Sequence, residues 1–164
     1  FVALAFGVEG ETPNTRIFTK EFTFLSDTPG TSNISLSYTE FYTLSEVAAV
    51  DAEHWGNYTA YENYALVPMT ISGVQEGDKV YYMVDTRVID WQKESQWLAE
   101  VAQEKNIKNL YHNCYFILEY GKEYTIVAVA KDKNGNLGTL YLQEMIVYES
   151  DSVDASSYSY VEVK

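Results

Sequence analysis

Cysteine is nearly absent from this 164-residue chain. Cys114 stands alone, so no intrachain disulfide can form and the fold must hold by its core. Basic side chains are scarce as well: 11 Lys and Arg against 24 Asp and Glu give a formal net charge of −13. That balance argues against nucleic acid as a partner, because phosphate contacts need clustered cations, and equally against an anionic membrane surface. No apolar run reaches spanning length, so no direct membrane insertion of this segment is expected, and no signal peptide is visible. Opening on FVALAF without Met, the chain reads as a processed or excised piece whose targeting segment or lipid anchor would lie upstream. The two histidines, His54 and His112, fall in no zinc-ligand spacing, and there is neither a Gly-rich phosphate loop nor a Gly-x-Ser-x-Gly elbow.

What is present is apolar and aromatic. Apolar residues make up 46% of the chain, enough for a folded core, and 15 of them are Tyr, a residue suited to half-buried sheet surfaces. Most segments read as strands. ISLSY (34–38) alternates, and NYALVPMTI (63–71) does so with Pro68 pointing to an edge position or a bulge. KVYYMVDTRVI (79–89) and TLYLQEMIVY (139–148) are rich in β-branched and aromatic residues. YTIVAVA (124–130) is apolar almost throughout, as a strand in the middle of a sandwich is. Between the last two lies KDKNGNLG, whose Asn134-Gly135 predicts a type I′ hairpin turn with positive φ at both central residues. One segment is helical: ESQWLAEVAQEKN (94–106) puts Trp97, Leu98, Val101 and Ala102 on one face, with Asp90 or Ser95 as cap. The expected fold is mainly β, a sandwich with one short helical insertion at about 91–106.

Residues 1–24 align without gaps on 124–147, at an offset of 123. Residue classes agree at Phe1/Tyr124, Leu4/Val127, Ile17/Leu140 and Phe24/Val147, and both copies read strand, acidic turn, strand. A repeat of that period is one sandwich domain. Residues 1–26 then form the closing hairpin of a preceding repeat, 27–33 a linker rich in Pro, Gly and Ser, 34–150 the sandwich, and 151–164 a polar tail or edge strand. The alternative, that the first hairpin joins the main sheet, stays open.

LEYGKEYTIVAVAKDKNGN (118–136) resembles the E–F corner and F strand of fibronectin type III domains. Leu118, Gly121, Tyr124, Ile126, Ala128 and Ala130 occupy the family's places, with Tyr120 where the family usually has Pro. The resemblance implies an Ig-like sandwich in which Tyr124 is the tyrosine-corner residue, its hydroxyl bonding to upstream backbone. GDKVYYMVDTRVIDWQKESQWLAEVAQEK (77–105) is similar to repeats of exported Bacteroidetes lipoproteins, where a "D…YYF.V" strand precedes a short helix and then "G.EYT..A.A.D..GN". That implies an exported module in the periplasm or at the outer-membrane surface, serving as spacer or binding unit without cofactor or assigned activity.

Chemistry has few candidates. His112 and Cys114 would share one face of a strand, the spacing a Cys-His pair needs, though a lone Cys among apolar residues reads first as a small core residue. Asp51 and Glu53 are the carboxylates nearest the aromatic stretch, and a solvated acidic loop accounts for them equally. DKNGN (132–136) resembles the start of a calcium loop, but position 12 counted from Asp132 is Gln143 rather than Glu, and no metal ligand set is assigned. Asn33-Ile34-Ser35 and Asn57-Tyr58-Thr59 are sequons, and Asp151-Ser152-Val153 resembles a Bacteroidetes O-glycosylation signal.

The sharpest local feature is HWGNYTAYENY (54–64), with Trp55, Tyr58, Tyr61 and Tyr64 three apart. On a regular strand such neighbours face opposite sides, and Gly56, Asn57 and Thr59 disfavour a helix, so a loop or irregular strand edge is expected. Those rings cover an open sheet, pack against a neighbouring domain of the same polypeptide, or stack on a sugar. The first reading is a non-enzymatic structural or interaction module. The second is a carbohydrate-binding module using Trp55, Tyr58 and Tyr61 with Trp91 and Trp97.

Overall fold

The computed structural model describes Val2–Ala3, Phe18–Thr19 and residues 28–108 and 110–163. Among the described residues, strands β1 (Val2–Ala3) and β2 (Phe18–Thr19) pair only with each other, antiparallel, with Ala3 opposite Phe18. The echo with 124–147, where Tyr141 pairs with Ala128, would place Ala5 there, a register two residues away. The remainder of the hairpin expected over 1–26 lies outside the described residues.

The body has two antiparallel sheets. In chain order the elements are β3 (Ser35–Ser37), β4 (Tyr42–Thr43), α1 (Leu44–Val50), α2 (Ala52–Trp55), β5 (Tyr64–Ser72), β6 (Lys79–Asp85), α3 (Glu94–Val101), β7 (Ile107–Lys108), β8 (Asn113–Glu119), β9 (Tyr124–Lys131) and β10 (Tyr141–Met145). One sheet has the order β10-β9-β6-β7. In the other, β5 is central. β8 pairs with it from Tyr64 to Thr70, so β3 and β4, which meet the same stretch at Thr70 and Ala65–Leu66, share its opposite edge.

Pro68 explains why that edge is broken in two. It sits in a central strand, not the edge strand allowed for above. Ile71 donates to the carbonyl of His112, the residue just before β8, and N–H direction alternates along a strand, so position 68 points its missing N–H at β3/β4. There the register slips: between Ser37↔Thr70 and Tyr42↔Leu66, four residues (38–41) face three (67–69). That is a bulge, set where the proline has nothing to donate.

The sheets enclose one core, with Ala65, Val67, Met69, Phe116 and Leu118 facing Val80, Ile126, Ala128 and Ala130. The strands at the centre are apolar on their outer faces too. Tyr81, Val127 and Val129 point away from the core and are covered by Trp97 and Val101 of α3. Leu66 points outward from the other sheet and is covered by Leu44 and Val47 of α1, Tyr42 and Ala155. Two sheets thus sit between two outer covers.

Several expected elements are trimmed. The helix expected to reach 106 ends at Val101, because Asn106 Nδ2 donates to the carbonyls of Glu100 (2.9 Å) and Val101 (3.1 Å) and satisfies its C-terminus. Asp90 caps the 3₁₀ turn ahead of it through Gln92 N–H. The strands expected over 79–89 and 139–148 shorten to β6 and β10.

The β9–β10 turn is not type I′. Only Gly135 has positive φ, +89°, while Asn134 does not. Gly135 N–H bonds to Asp132 O at 2.9 Å and Asp132 N–H to Asn136 O at 2.9 Å, the pattern of a three-residue loop closed by a left-handed glycine. The Asp132 carboxylate decides this choice by accepting from the backbone N–H of Asn134 and Asn136. Those bonds, Asn136 foremost, hold its carboxyl below the usual range.

At this pole the stretch expected as a linker is tied down from Gly30 onward. Gly30 N–H donates to Leu137 O, the Ser32 hydroxyl to buried Asp78, and Thr139 N–H to Asn33 Oδ1. The backbones touch: a Cβ on Gly138 would lie 1.9 Å from Ser32 O, and one on Gly73 1.8 Å from Asn33 O. We predict that Gly138→Ala costs about 3 kcal/mol, the upper end of overpacking penalties, since backbone rather than a side-chain tip must yield. Urea unfolding measures this.

Candidate functional site

The aromatic stretch is helical only over His54–Tyr58; residues 59–63 form the turns and loop expected there, and Tyr64 opens β5. α1 buries Leu44, Val47 and Ala48 at helical spacing. Asp51 ends that helix and caps the next, accepting from His54 N–H (3.4 Å) and lying 2.9 Å from His54 Nδ1. Gly56–Tyr58 continues as a 3₁₀ turn, which sets Tyr58 one short turn beyond Trp55.

The four rings meet in sequence. Trp55 and Tyr58 are 6.0 Å apart between centroids, Tyr58 and Tyr61 5.3 Å, Tyr61 and Tyr64 5.2 Å. Their planes are inclined by 54°, 67° and 60°, the tilted and edge-on contacts of aromatic packing rather than a coplanar stacking surface. Trp55 also meets Tyr115 of β8 at 5.2 Å and donates its indole N–H to the Tyr158 hydroxyl at 2.8 Å. Tyr158 packs edge-on against Tyr42 at 5.3 Å. Its own hydroxyl is pushed to a higher pKa, first by burial and then by Tyr115. Tyr61, 40% exposed, is the most open ring of the ladder.

The other two nominated tryptophans are not brought to this face. Trp97 is buried under α3 against the opposite sheet, with the Arg87 guanidinium 4.6 Å from its ring centroid. Arg87 in turn pairs with Asp85 (2.7 Å) and Glu100 (2.5 Å), and it holds both carboxyls low. The backbone of Trp91 lies in the 3₁₀ turn before α3; its side chain is outside what the structure describes.

The reactive candidates are spent or separated. Cys114 points into the core opposite Met69, and burial pushes its thiol up to about 12, the reverse of what a nucleophile needs. His112 precedes β8 and is exposed, so the two form no pair. Asp51 serves the α2 cap, and Glu53 is exposed. Asp132 spends its carboxylate on the turn, and the described residues contain no group of three His, Cys, Asp or Glu fit to hold a metal. Ser152 of the Asp-Ser-Val signal donates its hydroxyl to Glu149 O. An open recess of about 490 Å³ between α1 and residues 152–156 is not lined by Trp55, Tyr58 or Tyr61.

The residues expected to be structural lie at the β8–β9 corner and in the β9–β10 turn. Leu118 is fully buried, Gly121 has φ +72° and donates to Val147 O, and the Tyr124 hydroxyl accepts from Glu119 N–H at 3.1 Å. Tyr120 bonds through its hydroxyl to Thr43 Oγ1 at 3.0 Å and so ties this corner to β4. Sequence reasoning missed Tyr115, Tyr158 and Tyr160; the alternation of Tyr158-Ser-Tyr160 was the available signal. Compared with known proteins, the chain matches no family model, no curated protein and no solved structure.

The Cys114 environment makes a direct prediction. In the native chain at pH 8 a thiol-reactive chromogen should label almost no Cys114, and full labelling should appear only with unfolding. Rapid native labelling would show the thiol reaches solvent.

Proposed function

We propose that this chain is a non-enzymatic module of fibronectin type III-like, Ig-like type, acting as a structural or interaction unit of a larger exported bacterial cell-envelope protein. Strand order carries the reading. In an Ig-like sandwich strands A, B and E pack against C, F and G. Taken in chain order, β3/β4, β5 and β8 fill the first set and β6, β9 and β10 the second, with β7 beside β6. The Tyr124 hydroxyl, which accepts from Glu119 N–H five residues upstream, supports the reading, because the tyrosine corner of such folds bonds to upstream backbone. Residues 1–26 fit the end of a preceding repeat, which makes a neighbouring domain the first partner of this one. The similarity of 77–105 to Bacteroidetes lipoprotein repeats supports placement in the periplasm or on the outer membrane.

The work of such a module is mechanical or adhesive. Trp55, Tyr58 and Tyr64 are half-buried and Trp97 is buried, all in contacts within the chain. A glycan array together with a hydrolase substrate screen tests this. The reading predicts no saturable glycan binding and no turnover, with Tyr61→Ala indistinguishable from the parent chain. Glycan binding lost in Tyr61→Ala would replace it with a carbohydrate-binding module, and turnover would overturn it.

A further inference from the structure

The segment 149–163 closes the outer face of the β8 sheet, and its attachment changes character along its length. Up to Ala155 the hold is backbone and burial. Val153 N–H donates to Phe41 O at 2.9 Å, Val153 bridges Tyr42 in parallel, and Ala155 is buried. Beyond Tyr158, no backbone-to-backbone hydrogen bond joins the segment to the body among the described residues. A slot of side chains holds it instead. The Tyr160 ring lies nearly parallel to His54 (3.6 Å, 9°) and to Tyr115 (5.9 Å, 10°). The Tyr115 hydroxyl accepts from Val161 N–H at 2.8 Å and donates to Val161 O at 3.0 Å, and Asn113 Nδ2 donates to the same carbonyl at 3.2 Å. Val161 and Val163 project to solvent, 58% and 37% exposed.

This is how a short linear ligand is bound: one flat ring in a flat slot, and one residue's N–H and C=O read by a single hydroxyl. The ligand here is the chain's own end. We propose that the His54–Tyr115 slot is an exchange site that also takes the Tyr160-Val161 end of a second copy in trans. A swapped end reproduces every contact of the closed form, so the exchange changes no interaction energy within the slot. The hinge is at hand at Ser159, exposed between Tyr160 and Tyr158, which stays held by Tyr42 and Trp55. The cis end competes at an effective concentration in the millimolar range, so trans pairing needs copies held close, as in an array on a surface. The inference deepens the interaction-module reading and rests on it, but its failure would leave the strand order behind that reading untouched.

The test uses the full chain with Tyr160→Ala, which removes the ring from the slot and leaves only the Val161 backbone contacts for a peptide to displace. It is titrated with an acetylated, amidated peptide of residues 157–163 while the ring resonances of His54 and Tyr115 are followed by NMR. Saturable shifts are expected at millimolar peptide or below, with at least tenfold weaker response in the parent chain, where the slot is filled. Three results overturn the proposal: no saturable shift, equal binding to the parent chain, or an equal response to the peptide carrying Ala at position 160 or to a hexose. Should Tyr160→Ala fail to fold, a mixture of isotope-labelled and unlabelled parent chains at millimolar concentration serves. Intermolecular Tyr160–His54 cross-peaks are expected there, and their absence contradicts exchange.

Discussion

Two strands that are apolar on both faces set the terms for the rest of the molecule. β9 buries Ile126, Ala128 and Ala130 between the sheets and Val127 and Val129 outside them; β5 buries Ala65 and Val67 inside and Leu66 outside. A bare two-layer sandwich would leave Val127, Val129 and Leu66 in water, at about 1.5–3 kcal/mol for each such side chain. Each sheet therefore carries a cover. α3 supplies one with Trp97 and Val101. The other is assembled from α1, the Trp55 region and the C-terminal segment.

The same requirement accounts for the tyrosines. A cover that faces the sheet on one side and solvent on the other suits a ring with a polar tip. Tyr42, Tyr58, Tyr64, Tyr115 and Tyr158 all contribute to that layer, and their hydroxyls bond where they can, as Tyr158 does to the Trp55 indole. The carboxylates at the pole of the sandwich are likewise used inside the fold: Asp132 builds the β9–β10 turn, and Asp78 accepts from Ser32 and Gln75 N–H. With a single buried Cys and no disulfide, these closures and the core carry the stability.

Much of this was legible in the sequence because period-two alternation and β-branched runs are strong signals. ISLSY, NYALVPMTI and YTIVAVA each became a strand near its predicted bounds, and the unbroken apolar run of the last announced burial on both faces. α1 was not legible. Seven residues give two turns, too few for a periodic signal, and Leu44, Val47 and Ala48 are distinguished only by what they bury. The Asn134-Gly135 turn misled because a carboxylate two residues earlier chose a different hydrogen-bond pattern. The aromatic stretch was legible in part: the loop and strand start expected there hold for residues 59–64, while the short helical turns through Tyr58 carry too few residues for a periodic signal. The cover formed by residues 149–163 was invisible for a plainer reason: it depends on a contact between positions about a hundred residues apart.

The central claim is that the aromatic layer is a cover the sheets require. Urea unfolding of Trp55→Ala tests it most directly. The account predicts a loss on the order of 2 kcal/mol, below the 3–5 of a fully buried Trp because this one is half-buried, in a single cooperative transition. Stability unchanged within about 0.5 kcal/mol would contradict it.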